Sequence, residues 1–413
     1  MEFRRNDHSW KNPTLLLSAI GLSTIGDWIY LIALNLIVLD MTGSPLAVAA
    51  LYILKPVSTL FTNFWAGSII DRLNLRNFMV VLDVFRAALI LIVPSLSSIW
   101  LIYLVVFFIN MGSSVFEPAS MTYITKLLPP ARRQRFNALR GLVDSGGFLL
   151  GPAVAGILFM IGTPYTAIYV NAFTFLGSGL IMMCLPQFNK SAYKIDGGFS
   201  IGLLKKDWQV VLQFTRVHTH IITIYFLFSL MMVMATALDS LEAAFSKEVL
   251  KLSDTEYGFL VSIAGAGIAV GSIFNALYSK KLPVTFLIGV GSLFVSAGYI
   301  IYAFSSNFTI AALGFSVLSF SLAFANTGFY TFYQDNIPVD VMGRVGSFFS
   351  FIEAIFIIAA TIIIGIAAQV FTIKGSVIVG SFFMLLITVV LGAMSYLHNE
   401  KIHNPAHKEG VIP

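Results

Sequence analysis

Asp27 stands near the middle of an apolar run covering residues 14–39, with Ser23 four residues before it and Asn35 eight after. Helical periodicity puts the three on one face. A carboxyl on a polar stripe within apolar surroundings suits reversible protonation. The alternative role is a fixed ion pair with Lys55 or Arg86, which also lie inside apolar runs. Asp83 and Arg86, three residues apart, can pair directly on one helix face. Glu117 closes a stripe of Asn110, Ser113 and Ser114 at helical spacing, just before Pro118, where it fits proton entry, gating or a pair with a loop arginine. Charged groups within apolar runs cost about 2.5–3.5 kcal/mol each on insertion scales, which makes each a functional candidate by default. Asp239 and Glu242, at the end of a later run, are expected to be solvated. His403 and His407 have helical ligand spacing, but two imidazoles in a polar tail make no metal site, and the single cysteine, Cys184, excludes an internal disulfide or a cysteine metal cage.

The elements that hold these residues follow from composition. The chain of 413 residues is 57% hydrophobic and 11% charged, less than half the roughly 25% charged content of a soluble domain. With a mean hydropathy of +0.86 there is too little polar surface for several water-facing domains. A membrane span needs about 20 apolar residues. Twelve such runs occur, at about 14–39, 45–70, 78–96, 99–122, 138–161, 164–186, 219–245, 255–279, 284–304, 308–333, 346–371 and 375–397. The first reads as a retained span, since no small-residue cleavage site follows it. With both termini cytoplasmic, twenty of the 25 Lys and Arg fall on the cytoplasmic side, against Lys247, Lys251 and Lys374 opposite. No basic stripe interleaved with aromatics points to nucleic acid. The spans group as a bundle over 1–186, a polar linker over 187–218, a second bundle over 219–398 and a cytoplasmic tail over 399–413.

An internal repeat supports two related halves. Pro129, Arg135 and Asp144 recur as Pro338, Arg344 and Glu353 at a constant offset of 209, and Gly67-Ser68-Ile69 recurs as Gly271-Ser272-Ile273. Halves related by an axis along the membrane normal put a substrate site between them near the midplane. Asp144 and Glu353 are then expected to be matched gate residues, with Arg344 beside the second.

The stretch Gly67-Ser68-Ile69-Ile70-Asp71-Arg72-Leu73-Asn74-Leu75-Arg76 is similar to the loop signature of the major facilitator superfamily of secondary transporters, departing from it at Asn74 and Leu75. In that family the loop latches the halves in one state, a gating role the resemblance gives to Asp71, Arg72 and Arg76. Gly147, Gly151, Pro152 and Gly156 resemble the span-five motif of its antiporter branch, with Ala155 where glycine is usual. Small residues at spacing four let two backbones approach, and Pro152 bends the helix. Gly26-Asp27-Trp28, Phe116-Glu117-Pro118-Ala119 and Asn137-Ala138-Leu139 look like the branch containing the enterobactin exporter and the bacterial macrolide-efflux proteins. Where many proton-coupled relatives carry a span-four arginine, this chain has Phe108, so Arg86 or Lys55 is the candidate for the missing cation.

The resemblance implies an all-α membrane protein of twelve helices in two pseudo-symmetric six-helix bundles. It implies a monomer in the bacterial cytoplasmic membrane, with a small-molecule substrate and protons as partners and without a cofactor. The expected activity is export of an amphipathic organic molecule of drug, macrolide or siderophore type, by proton antiport through Asp27 with Glu117, Asp83, Arg86 and Lys55 assisting. A lysolipid or metal-ion transporter of the same fold is the alternative. Trp28, Tyr30, Asn35, Asn110, Phe228, Asn326 and Tyr330 are candidates for the substrate cavity. A membrane receptor or enzyme is disfavoured: no phosphate-cradling Gly-rich Lys loop and no nucleophile with a base occurs.

Overall fold

The computed structural model describes residues 10–42, 45–188, 201–279 and 281–403. The basic tail residues Arg4 and Arg5, the linker lysines Lys190 and Lys194, and His407 lie outside the described residues, as do the side chains of Pro152 and His403. Among those described, every regular element is helical. In chain order they are α1 (Lys11–Thr42), α2 (Pro45–Ile70), α3 (Leu75–Ile92), α4 (Ile99–Leu127), α5 (Pro130–Ile161), α6 (Pro164–Met183), α7 (Ile201–Val217), α8 (Thr219–Asp239), the short α9 (Glu242–Ala244), α10 (Asp254–Tyr278), α11 (Val284–Ala303), α12 (Phe308–Asn336), α13 (Met342–Val370) and α14 (Ile373–His403). Eleven of these are long and apolar enough to cross a membrane. The expected second span is α2, whose 26 residues are long enough to cross but include Lys55, Ser58, Thr59, Thr62 and Asn63. The chain is a multi-pass membrane protein.

Helix ends follow local chemistry. Asn74 caps α3 by accepting the amide of Asn77, at 3.3 Å. Ser253 and Glu256 form a reciprocal capping box at the start of α10, and Asn307 takes the Ile310 amide at 3.0 Å to open α12. Two prolines, Pro56 and Pro118, sit inside α2 and α4. Each removes one ladder hydrogen bond from a long helix.

The chain divides into two compact units. One comprises residues 1–133, 146–208 and 338–351, the other residues 134–145, 209–337 and 352–413. In the first, α1 packs along α6, α3 lies against α6 and α4, and α2 lies on α4. Its core gathers Ile29, Leu34, Ile90, Ile102 and Phe175. In the second, α11 packs on α12 and α14, α12 on α10, and α14 on α8. The α11–α12 contact is backbone to backbone: a Cβ on Gly314 would lie 2.8 Å from the Tyr302 nitrogen, and one on Gly298 2.5 Å from that of Leu318. Small residues at this contact replace hydrophobic driving force with close van der Waals packing, as association within lipid requires.

Two features depart from the linear reading. The first turns of α5 (134–145) belong with the second unit, and residues 338–351, leading into α13, belong with the first. Polar contacts rather than chain order decide both placements. The linker, expected only as a polar interval, contains the amphipathic helix α7, which buries Leu204, Asp207 and Val211 and exposes Lys205, Lys206 and Arg216.

Candidate functional site

Asp71 lies in the turn that joins α2 to α3, and the first turn of α13 approaches it. Gly67 makes this approach possible, since a Cβ there would fall 2.6 Å from the Arg344 Cα and 2.7 Å from the Gly343 carbonyl oxygen. Asp71 accepts the amides of Gly343 at 2.8 Å and Arg344 at 3.2 Å, and the Arg344 Nε at 2.9 Å. The carboxylate thus satisfies amides left open at the start of α13 and faces the positive end of its dipole. Asp207 of α7 completes the cluster. It takes both Arg72 Nη atoms at 2.7 Å each and the Arg344 Nη1 at 3.1 Å. Two carboxylates and two guanidiniums therefore meet with Asp71, Arg72 and Asp207 all buried.

The two acids of this clasp respond differently to their surroundings. Burial pushes the Asp71 carboxyl up to about 6, against the pull of Arg344 and of the two amides. Burial raises Asp207 as well, but hydrogen bonds from Arg72 and Ser68 and the charges of Arg72 and Arg344 outweigh it and hold the group below the usual carboxylate range.

Arg76, expected with this gate, lies elsewhere. Its Nη1 donates to the carbonyls of Met183 and Leu185 at 3.1 Å each, closing the C-terminal end of α6. Sequence reading missed Asp207 and its neighbour Trp208, because the partners of Asp207 are 135 and 137 positions away. An acid directly after Lys205-Lys206 in a basic linker was the available signal.

Within the first unit a second polar group is built on α1, α3, α4 and α6. Asp83 and Arg86 pair directly and are both buried. Ser178 of α6 donates to Asp83 at 2.8 Å, Arg86 donates to Ser113 of α4 at 3.3 Å, and its guanidinium lies 4.1 Å from the Phe175 ring centroid and 4.7 Å from that of Phe116. Asp27 is exposed on α1 and lies in the field of Arg86 and Lys55. The buried Tyr30 hydroxyl near it and the buried Asn171 amide nitrogen find no hydrogen-bond partner among the described residues. Asn35 donates to Tyr52 at 2.8 Å, and Thr59 and Ser114 join α2 to α4 at 2.9 Å. Glu117 is exposed on α4, one residue past the buried Phe116, and Asn110 is half-buried on the same helix.

In α5, a Cβ on Gly147 would meet the Thr24 side chain at 2.6 Å, and Gly151 rests on Trp28, which packs edge-on against Phe148. Gly156 departs from the expected packing set: it is exposed, with open space where a Cβ would lie, while the adjacent Ala155 takes the buried position in that turn.

The second unit carries its own polar joint. Asn137 donates to Thr331 and Gln334 at 3.0 Å each, and Arg140 lies 5.6 Å from the Tyr330 ring centroid. Asp144 is half-exposed beside Arg140 at 4.0 Å, while Glu353 accepts Ser229 of α8 at 3.1 Å; the two acids expected as a matched pair thus make different contacts. Phe228 stacks on Phe329 at 4.0 Å, and Asn326 is half-buried. Asp239 is exposed and accepts Tyr299 at 2.6 Å. Glu242, expected like Asp239 to be solvated, is half-buried. A separate apolar cavity of about 680 Å³ lies among α10, α11 and α12, lined by Phe286, Phe294, Phe320 and Phe324 with Ser316 and Ser321. The residues expected in the substrate cavity lie elsewhere.

This arrangement holds buried ion pairs and exposed intramembrane acids at the ends and middles of long helices. The chain is 23% identical over 351 residues, 81% of each chain, to the "Uncharacterized MFS-type transporter YfiS" of Bacillus subtilis strain 168. Over 160 residues, 39% of this chain and 38% of the relative, it is 23% identical to "Multidrug resistance protein MdtH" of Yersinia pestis strain Pestoides F. The solved structure of the transporter FucP in its outward conformation superimposes with a TM-score of 0.74 at 14% identity, covering 93% of this chain and 98% of that one. The profile of the Major Facilitator Superfamily matches residues 16–361. The chain therefore belongs to the major facilitator superfamily, a family of membrane transporters rather than enzymes, and has its all-α fold.

Proposed function

We propose that this protein exports an amphipathic organic molecule of drug, macrolide or siderophore type, by proton antiport with alternating access, in the bacterial cytoplasmic membrane with both termini cytoplasmic. The observation that carries the reading is Asp27, an exposed carboxyl in the middle of α1 within the field of Arg86 and Lys55. A charge at that depth is too costly to face hydrocarbon, so it belongs on a water-accessible path. Asp83 and Arg86 hold the cationic side of the cluster in place, beside the buried Tyr30 hydroxyl and Asn171 amide nitrogen, whose hydrogen-bonding capacity is unmet among the described residues. The partial likeness to a protein named for multidrug resistance favours efflux. Asp71, Arg72 and Arg344 act as the cytoplasmic gate.

In inside-out vesicles energised by a pH gradient, Asp27→Asn is expected to abolish uphill accumulation of dyes and macrolides while expression and insertion stay unchanged. Collapse of the gradient is expected to stop the wild-type protein. Gradient-driven uptake that survives Asp27→Asn removes Asp27 from the mechanism.

A further inference from the structure

A third element enters the clasp between the α2–α3 turn and α13. Asp207 lies on α7, in the segment joining the two groups of spans, and engages Arg72 of the α2–α3 turn and Arg344 of α13 together. Its neighbour Trp208 does the same with apolar groups. The indole sits 5.2 Å from Phe64 of α2 and, from α13, 5.1 Å from Phe348 and 6.1 Å from Phe351, and its Nε1 donates to the Phe64 carbonyl at 3.4 Å. Two successive residues thus bridge the same two elements, one through charge and one through rings. Helical geometry points neighbouring side chains about 100° apart, so this double engagement fixes α7 in rotation as well as position.

We infer that α7 is a working part of the cytoplasmic gate, with Asp207 and Trp208 as positioning residues that strap the end of α2 to the start of α13. The inference rests on the gating role proposed for Asp71 and Arg344. Any separation of α2 from α13 must break either the Arg72–Asp207 bonds or the Arg344–Asp207 bond, and must take one aromatic wall from Trp208. Release of α7 is therefore a step of opening. Its docking strength sets how much of the population is closed, which makes the segment between the two groups of spans a site where the transport cycle can be tuned without touching substrate-binding residues.

The test needs no substrate. Ser347, buried near the clasp, is replaced by cysteine in a Cys184→Ser background, and its alkylation by fluorescein maleimide is timed in inside-out vesicles. Asp207→Asn is expected to raise the rate roughly tenfold or more, since it leaves two buried guanidiniums short of a counter-charge. Asp207→Glu is expected to restore most of the slow rate at unchanged thermal stability. Trp208→Ala, which breaks the same bridge by its apolar half, is expected to raise the rate as well and serves if Asp207→Asn fails to insert. Asp71→Ala, which removes the acceptor altogether, separates the two levels of the argument. A faster rate in Asp71→Ala with wild-type rates in Asp207→Asn and Trp208→Ala overturns the role of α7 and leaves the gate standing. Wild-type rates in all three overturn the gate itself.

Discussion

A single methyl group at Gly67 probes the clasp by steric means alone, leaving every charge in place. In Gly67→Ala the new carbon would lie 2.6 Å from the Arg344 Cα and 2.7 Å from the Gly343 oxygen. Both distances are about 1 Å inside the roughly 3.5–4.0 Å of an unstrained contact between carbons. The obstruction is backbone, and that backbone is held by the Asp71 bonds to the Gly343 and Arg344 amides, so it cannot yield without loosening them. Overpacking of this kind costs about 1–3 kcal/mol. The cost falls only on the closed state, so the population shifts toward the open one by about 5- to 150-fold. The Ser347→Cys reporter reads that shift directly as a faster alkylation rate. Combining Gly67→Ala with Asp71→Ala is expected to give less than the product of the two effects, since both act on one contact. A rate in Gly67→Ala equal to or slower than wild type would refute the closed clasp and the steric argument together.

Two further outcomes follow from the buried acids. Asp71 rises from an ordinary value of 3.8 to about 6 in the closed clasp, so the closed state binds the proton more tightly than a solvated one. Its contribution is full below the ordinary value and is lost as pH rises through about 6, a difference of at most about 3 kcal/mol. Asp207 is shifted the other way, so its contribution is present above 3.8 and falls only in stronger acid. Ser347→Cys alkylation, corrected for thiolate chemistry with unfolded protein, is accordingly expected to quicken from about pH 5 to 7, and Asp71→Asn to flatten that rise; acid-induced opening across the range contradicts the assignment. Asp83→Asn leaves the buried Arg86 without its carboxylate and is expected to destabilise the first unit by about 3–5 kcal/mol, read as a lower unfolding temperature in detergent. A loss of proton-driven transport at wild-type stability would instead give Asp83 a direct part in coupling.

How much of this was legible beforehand depends on whether the cause is local. Asp27, Lys55 and Arg86 stand out because a charge within about 20 apolar residues is conspicuous against its own neighbours. The α2–α3 turn could be found because its glycine, acid and arginines are consecutive. Gly147 and Gly151, four residues apart, and Gly156, five further on, form a pattern that says nothing about whether a neighbour arrives, and nothing lies within 4 Å of a Cβ on Gly156. The resemblance of the loop gave Arg76 a gating role, yet its side chain points back to the carbonyls ending α6.

The amino-acid order alone set the number and type of the long helices, because a backbone in hydrocarbon must satisfy its own hydrogen bonds and an apolar run has few ways to do so. It also marked Asp83 and Arg86, charges within an apolar run that the fold buries together. Only the folded chain decided which distant groups would share that cost: Arg72 and Arg344 with Asp207, Asp83 with Ser178, Asn137 with Gln334. Hydropathy acts along the chain one segment at a time, whereas lateral pairing depends on which helix faces come within about 3 Å of one another, and that is a property of packing.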